Sequence, residues 1–195
     1  MKKEIITIAG KPGSGKSTTA KKLASDLDYI HFSSGDLFRQ VGLEKGLDVM
    51  ATTNLAEKDK SVDELVDQKV REMGKEEKII VESRLAFHWI PKSFKVYLDL
   101  DTETSAKRMF DDLQTNPDRK ASEDCDSTEE MTEKLTKRFA SEKIRRSVRS
   151  KPARFVTIRL GYKHKRNPSR KSLRANKRKI FCLAWFIIRK WIHLN

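Results

Sequence analysis

Ile5-Ile6-Thr7-Ile8-Ala9-Gly10-Lys11-Pro12-Gly13-Ser14-Gly15-Lys16-Ser17 sets a run of β-forming residues directly against the pattern G-x-x-x-x-G-K-[ST]. A continuous apolar run is what a parallel strand covered on both faces requires. Lys16-Ser17-Thr18-Thr19-Ala20 then predicts the start of a helix. Between strand and helix, the glycines permit dihedrals that turn successive N–H groups onto a phosphate. Lys16 adds a point charge for β- and γ-phosphates, and the Ser17 hydroxyl adds an oxygen for Mg²⁺. The helix N-terminus behind them favours anions again. Gly10, Lys11, Pro12, Gly13, Ser14, Gly15, Lys16, Ser17 and Thr18 are therefore expected to hold a nucleoside triphosphate.

Outward from this P-loop, strand and helix patterns alternate. A helix is expected over 16–27, a strand over 29–32, and a helix capped by Asp36 that runs through Leu37, Phe38 and Val41. A further helix is expected over 62–73, strands over 78–81 and 94–100, and a helix over 103–113 capped by Thr102. Residues 114–128 are polar, carry Asn116-Pro117 and predict a loop or lid, followed by a charged helix over 128–146. The alternation predicts a three-layer α/β fold, a parallel sheet with helices on both faces. A chain of 195 residues suits one such domain.

The net charge of +14 is unevenly placed. Residues 1–146 sum to −1, whereas 147–195 carry 15 Lys and Arg and no acid. Two distant cysteines, Cys125 and Cys182, predict reduced thiols and no disulfide framework. The strand beginning at Ile5 leaves no room for a signal peptide, so a cytoplasmic location is expected. The apolar run over 180–188 is about half the length of a membrane-spanning helix, so no membrane partner is expected.

A P-loop alone holds phosphate; an acceptor needs further groups. Ligands of doubly wound sheets lie beyond the carboxyl ends of the strands. There the second strand delivers Ser33-Ser34-Gly35-Asp36-Leu37-Phe38-Arg39, and the third delivers Glu82-Ser83-Arg84. Arg39 can fork onto a second phosphate. Glu82 and Arg84, charged residues closing a buried strand, are costly there without a ligand or partner. Glu82 is read either as an ion-pair partner of Arg84 or Lys16, or as a group orienting metal-bound water, with Arg84 gripping the acceptor.

Together these residues resemble the nucleoside monophosphate kinases, most closely the archaeal-type cytidylate kinases, over residues 1 to about 145. The resemblance rests on the P-loop, SSGDLFR (33–39), AEKDKSVDELVDQKVREM (56–73), VESRLA (81–86) and KRFASEKIR (137–145). It implies transfer of the ATP γ-phosphate to CMP or dCMP, with Mg²⁺, in a protein acting as a monomer. It further implies a core over 1–146, with mobile monophosphate-binding helices over about 36–75 and a lid over about 114–138. By resemblance Lys16, Arg84, Arg138 and Arg145 act on the transferring group, and Ser17 and Glu82, through water, serve the metal. Ser34, Gly35, Asp36, Arg39, Asp63, Glu82 and Arg84 would bind the monophosphate, and Arg108 and Arg119 are further lid candidates.

After Arg145 the family's fifth strand and closing helix are not recognisable, although 155–160 has strand composition. The acid-free stretch 147–195 is read as an atypical tail, either a frameshift product or a disordered basic segment. On the frameshift reading the sheet lacks its edge. Alternative functions are another small-molecule P-loop kinase, adenylate kinase-like, or a P-loop NTPase whose tail binds nucleic acid.

Overall fold

The computed structural model describes residues 4–147 and 156–159. Its framework is a five-stranded parallel sheet in the order β2-β3-β1-β4-β5, formed by β1 (Ile5–Gly10), β2 (Ile30–Ser33), β3 (Ile79–Glu82), β4 (Phe94–Asp99) and β5 (Val156–Arg159). The central strand β1 is buried throughout, as its unbroken apolar run predicts. Its one polar side chain, Thr7, is satisfied by a 2.9 Å hydrogen bond to the Ser93 hydroxyl.

Alternating residues of the strands feed the two faces. Ile6, Ile8, Ile80, Val96 and Leu98 meet Ala20, Leu23 and Ala24 of α1 (Lys16–Leu27). On the opposite face Ile5, Ile79 and Val81 pack with Val70 of α4 (Ser61–Met73) and with Ala86 of the short α5 (Ala86–Trp89). The three-layer expectation holds. α2 (Ser34–Glu44), α3 (Val49–Lys58) and α4 share a small core of their own around Val41, Ala56 and Val62. α6 (Thr102–Leu113) packs on α8 (Thr128–Ser147) through Met109, Leu113, Met131 and Leu135.

Several expectations are corrected. The cap of α2 is Ser33, whose hydroxyl accepts from the Asp36 N–H, so Asp36 stands inside the first turn. Asp101 likewise displaces Thr102 as the cap of α6, its carboxylate accepting from the Thr104 N–H at 2.7 Å. The polar 114–128 stretch is not all loop: Asn116 caps a short α7 (Pro117–Ser122), with Pro117 at its favoured first position. The sheet does not lack its fifth strand. β5 pairs in parallel with β4, Val96 opposite Val156 and Leu98 opposite Ile158, and Ile158 joins the core because apolar residues recur at every second position. The other expectations for 147–195, Cys182 and the apolar 180–188 run among them, lie outside the described residues.

Gly10 ends β1 at φ +147°, opposite Leu98, where an added Cβ would come within 2.3 Å of the Leu98 carbonyl oxygen. Gly15 has φ +86° but open space around it. Gly10→Ala therefore meets both a backbone penalty and a collision with a fixed strand, and should lower stability by about 3 kcal/mol or more. Gly15→Ala should cost only about 1 kcal/mol. Urea unfolding of the two variants separates them, and equal losses would contradict this account.

Candidate active site

The turn between β1 and α1 is braced from two sides. Ser105 of α6 donates its hydroxyl to the Pro12 carbonyl, and Arg108 Nη1 lies 3.5 Å from the Gly13 carbonyl oxygen. Lys11 extends outward to Asp99 Oδ1 at 3.4 Å, while its carbonyl accepts the Lys16 ammonium at 2.7 Å. Gly15, in the left-handed region, opens α1 without a side-chain cap. The first N–H groups of the helix thus have no such acceptor and face the turn. Thr18 is exposed on α1.

At the end of β3, the Ser83 N–H bonds the Ile8 carbonyl, and its hydroxyl accepts from the Leu85 N–H. This tight turn sends Arg84 toward Lys16. Part of the Lys16 stem stays accessible, but its ammonium is packed among protein atoms. Burial first, then the Arg84 guanidinium, hold its pKa down to about 7; Glu82 opposes them, and Arg138 and Arg119 add to them. Lys16 thus stands in the field of three further cations, Arg84 after β3, Arg119 of α7 and Arg138 of α8. An anion placed there would relieve their repulsion.

Glu82 is the acidic counterpart. The Ser17 hydroxyl donates to its Oε1 at 2.9 Å, and His31 Nε2 lies 3.6 Å from Oε2, an ion-pair separation longer than a hydrogen bond. Burial pushes the carboxyl up, but His31, Lys16 and Ser17 outweigh it and hold it below the usual carboxylate range. A hydroxyl and an ionised carboxylate side by side are hard oxygen donors that fit Mg²⁺. Among the described residues no cluster of three His, Cys, Asp or Glu side chains supplies a complete cage. Mg²⁺ bound chiefly through substrate phosphates needs no such cage.

The sequence-derived residues divide. Lys16, Ser17, Glu82, Arg84 and Arg138 converge, and so does Arg119. Arg39 instead pairs with Asp36 on the first turns of α2, beside Ser34 and Gly35. Asp63 is half-buried in the first turn of α4. Arg145 lies on α8, but its side chain is outside the described residues. Sequence reasoning passed over His31, whose alternation on β2 turns it to Glu82, and Glu123. The Glu123 carboxylate lies between Arg138 Nη1 (3.3 Å) and Arg119 Nη1 (3.5 Å).

Sheet order and the glycine-rich turn between β1 and α1 define the class: a P-loop kinase fold. The AAA domain family matches residues 9–131, more than half of the chain. A shikimate kinase from Bacteroides thetaiotaomicron shares the fold with a TM-score of 0.59 at 12% identity, over 93% of this chain and 98% of that one. The chain is 35% identical over 139 residues to a cytidylate kinase of Halobacterium salinarum, covering 69% of this chain and 70% of the relative. It is also 35% identical over 106 residues to a cytidylate kinase of Methanocella arvoryzae, covering 54% of this chain and 61% of the relative. The chain belongs to the cytidylate kinase family, in agreement with the resemblance read from its motifs. Among the described residues no helix is long and apolar enough to cross a membrane.

The depressed Lys16 makes a signed prediction. Between about pH 7 and its ordinary 10.5 the folded chain binds fewer protons than the unfolded one, so this group makes stability rise with pH across that window. A polyphosphate beside Lys16 restores its charge. ADP binding at pH 8 should then take up about one proton, an uptake lost in Lys16→Met. Calorimetry in buffers of differing ionisation heat measures it; no uptake in the wild type would contradict the burial argument.

Proposed function

We propose that the chain is an ATP-dependent (d)CMP kinase, transferring the γ-phosphoryl group of ATP to CMP or dCMP and releasing ADP with CDP or dCDP. The observation that carries this reading is the convergence of Arg84, Arg119 and Arg138 on the P-loop lysine. Nucleotide hydrolysis can be served by a single arginine and needs no such cluster. Two phosphate groups brought end to end do, because their charges repel and the equatorial oxygens of the transferring group must be neutralised.

In this reading the P-loop amides and Lys16 hold the donor. Arg39 and Arg84 hold the acceptor phosphate, the Arg39–Asp36 pair opening to do so, with Ser34, Gly35 and Asp63 lining that side. An acceptor oxygen attacks the γ-phosphorus in line, and the bond from that phosphorus to the β,γ-bridging oxygen breaks. No general base is required, since the acceptor is already ionised. Ser17 and, through water, Glu82 would hold Mg²⁺, which would supply neutralisation of the phosphate charge. Arg119, Arg138 and Arg145 close on the transferring group and exclude water that would otherwise hydrolyse ATP. The protein is taken to act as a cytoplasmic monomer on small-molecule nucleotides.

ATP consumption measured in parallel with CMP, dCMP, UMP, AMP and single-stranded RNA tests the reading. CMP and dCMP should accelerate it most. Acceleration by RNA and by no monophosphate would overturn the proposal. Lys16→Ala and Arg84→Ala should each reduce kcat/KM for CMP roughly 10³-fold, the scale for removing one charge-stabilising group. An unchanged rate in either variant would remove that residue from the site.

A further inference from the structure

We infer that Glu123 is a positioning residue for phosphoryl transfer, a single carboxylate that sets Arg119 and Arg138 as a matched pair beside the P-loop lysine. The inference rests on the kinase reading and extends it to a residue outside the motifs.

Each carboxylate oxygen faces a different arginine: Oε1 lies 3.3 Å from Arg138 and Oε2 lies 3.5 Å from Arg119. The two arginines come from separate helices, α7 and α8, and both act on the charge of Lys16. Glu123 is itself fixed. It is the residue that ends α7, its N–H donating to the Arg119 carbonyl at 2.9 Å, and the carbonyl of the following Asp124 accepts the Lys134 ammonium from α8. Its side chain is only 10% exposed, as is nearly the case for Arg138 at 11%. Asp112 of α6 holds Arg119 from the other end, Nε to Oδ2 at 2.7 Å.

Charge decides what this arrangement does. Arg119 and Arg138 repel each other and Lys16, so without an acid between them the lid would favour turning them to solvent. An ionised carboxylate accepts from both. A glutamine replaces one of these two oxygens with an amide that can only donate, so in this geometry it turns an acceptor to one arginine and a donor to the other. Donors fixed before the reaction stabilise developing charge without reorganising, which is the gain expected from holding two arginines in register.

The test compares wild type, Glu123→Gln, Arg138→Ala and the double variant. Steady-state kinetics are measured with ATP and CMP, and binding with Mg-ADP in the presence and absence of aluminium fluoride, a mimic of the transferring phosphoryl group. Glu123→Gln should lower kcat about 10-fold or more, change KM for ATP and CMP by less than about 3-fold, and weaken the aluminium fluoride preference to match. Added to Arg138→Ala it should have a smaller effect than in the wild type, because part of its action passes through that side chain. Three results would overturn the inference: an unchanged kcat, tighter Mg-ADP binding in the variant (a carboxylate that competes with phosphate), or an effect that simply adds to Arg138→Ala. Thermal unfolding of each variant excludes a general loss of fold. The aluminium fluoride measurement needs no acceptor. A wild type that phosphorylates no monophosphate would end the kinase reading while leaving this measurement to judge Glu123.

Discussion

Repulsion among buried and half-buried cations at the carboxyl ends of β1 and β3 is the constraint around which the molecule is arranged. A lysine ammonium held near pH 7 by burial and by Arg84 is unfavourable in the folded protein alone. The fold tolerates it because the surrounding sheet leaves those side chains little freedom to move elsewhere. β1 is fully buried between two parallel neighbours, and the turn after it is tied to α6 by Ser105. Such strain at a site of function is what an anion relieves. In the proposed kinase the same cluster that weakens the free protein is what would give it affinity for polyphosphate.

Acids are distributed to contain this charge without cancelling it. Glu82 sits under the P-loop, with Ser17 on one oxygen and His31 near the other. Glu123 stands between Arg119 of α7 and Arg138 of α8, and Asp36 holds Arg39 on α2. Glu82 and Glu123 thus reach across to neighbouring elements, whereas Asp36 pairs within its own helix.

The sequence made the donor half legible because it rests on local rules. An apolar strand, a glycine-rich turn and a helix start are all specified within thirteen consecutive residues. Helix caps were less legible. Ser33 and Asp36 compete for one end, Asp101 and Thr102 for another, and backbone direction chooses between chemically similar caps. α3 escaped notice because Val49–Lys58 contains Thr52 and Thr53, poor helix formers. Both hydroxyls bond back to carbonyls one turn earlier, and packing of Val49 and Ala56 supports the helix. β5 shows the opposite error. The strand composition of 155–160 is legible, but the foreign-looking composition of 147–195 around it hides that these four residues extend the sheet. Glu123 carried no periodic signal, since its partners lie 4 and 15 residues away across a polar stretch.

No loop residue separates β2 from α2. Ser33 is at once the last residue of the strand, paired opposite Glu82, and the cap of the helix that follows. Any swing of α2 must turn about this one residue, a fulcrum a single strand spacing from the carboxylate that faces Ser17. Arg39 lies six residues further along, a lever arm of about 9 Å at the helical rise. A rotation of about 10° at Ser33 would carry Arg39 roughly 1.5 Å, the difference between a salt bridge and none. The proposed acceptor side of the site is thus geared to the proposed donor side by a joint with no slack of its own.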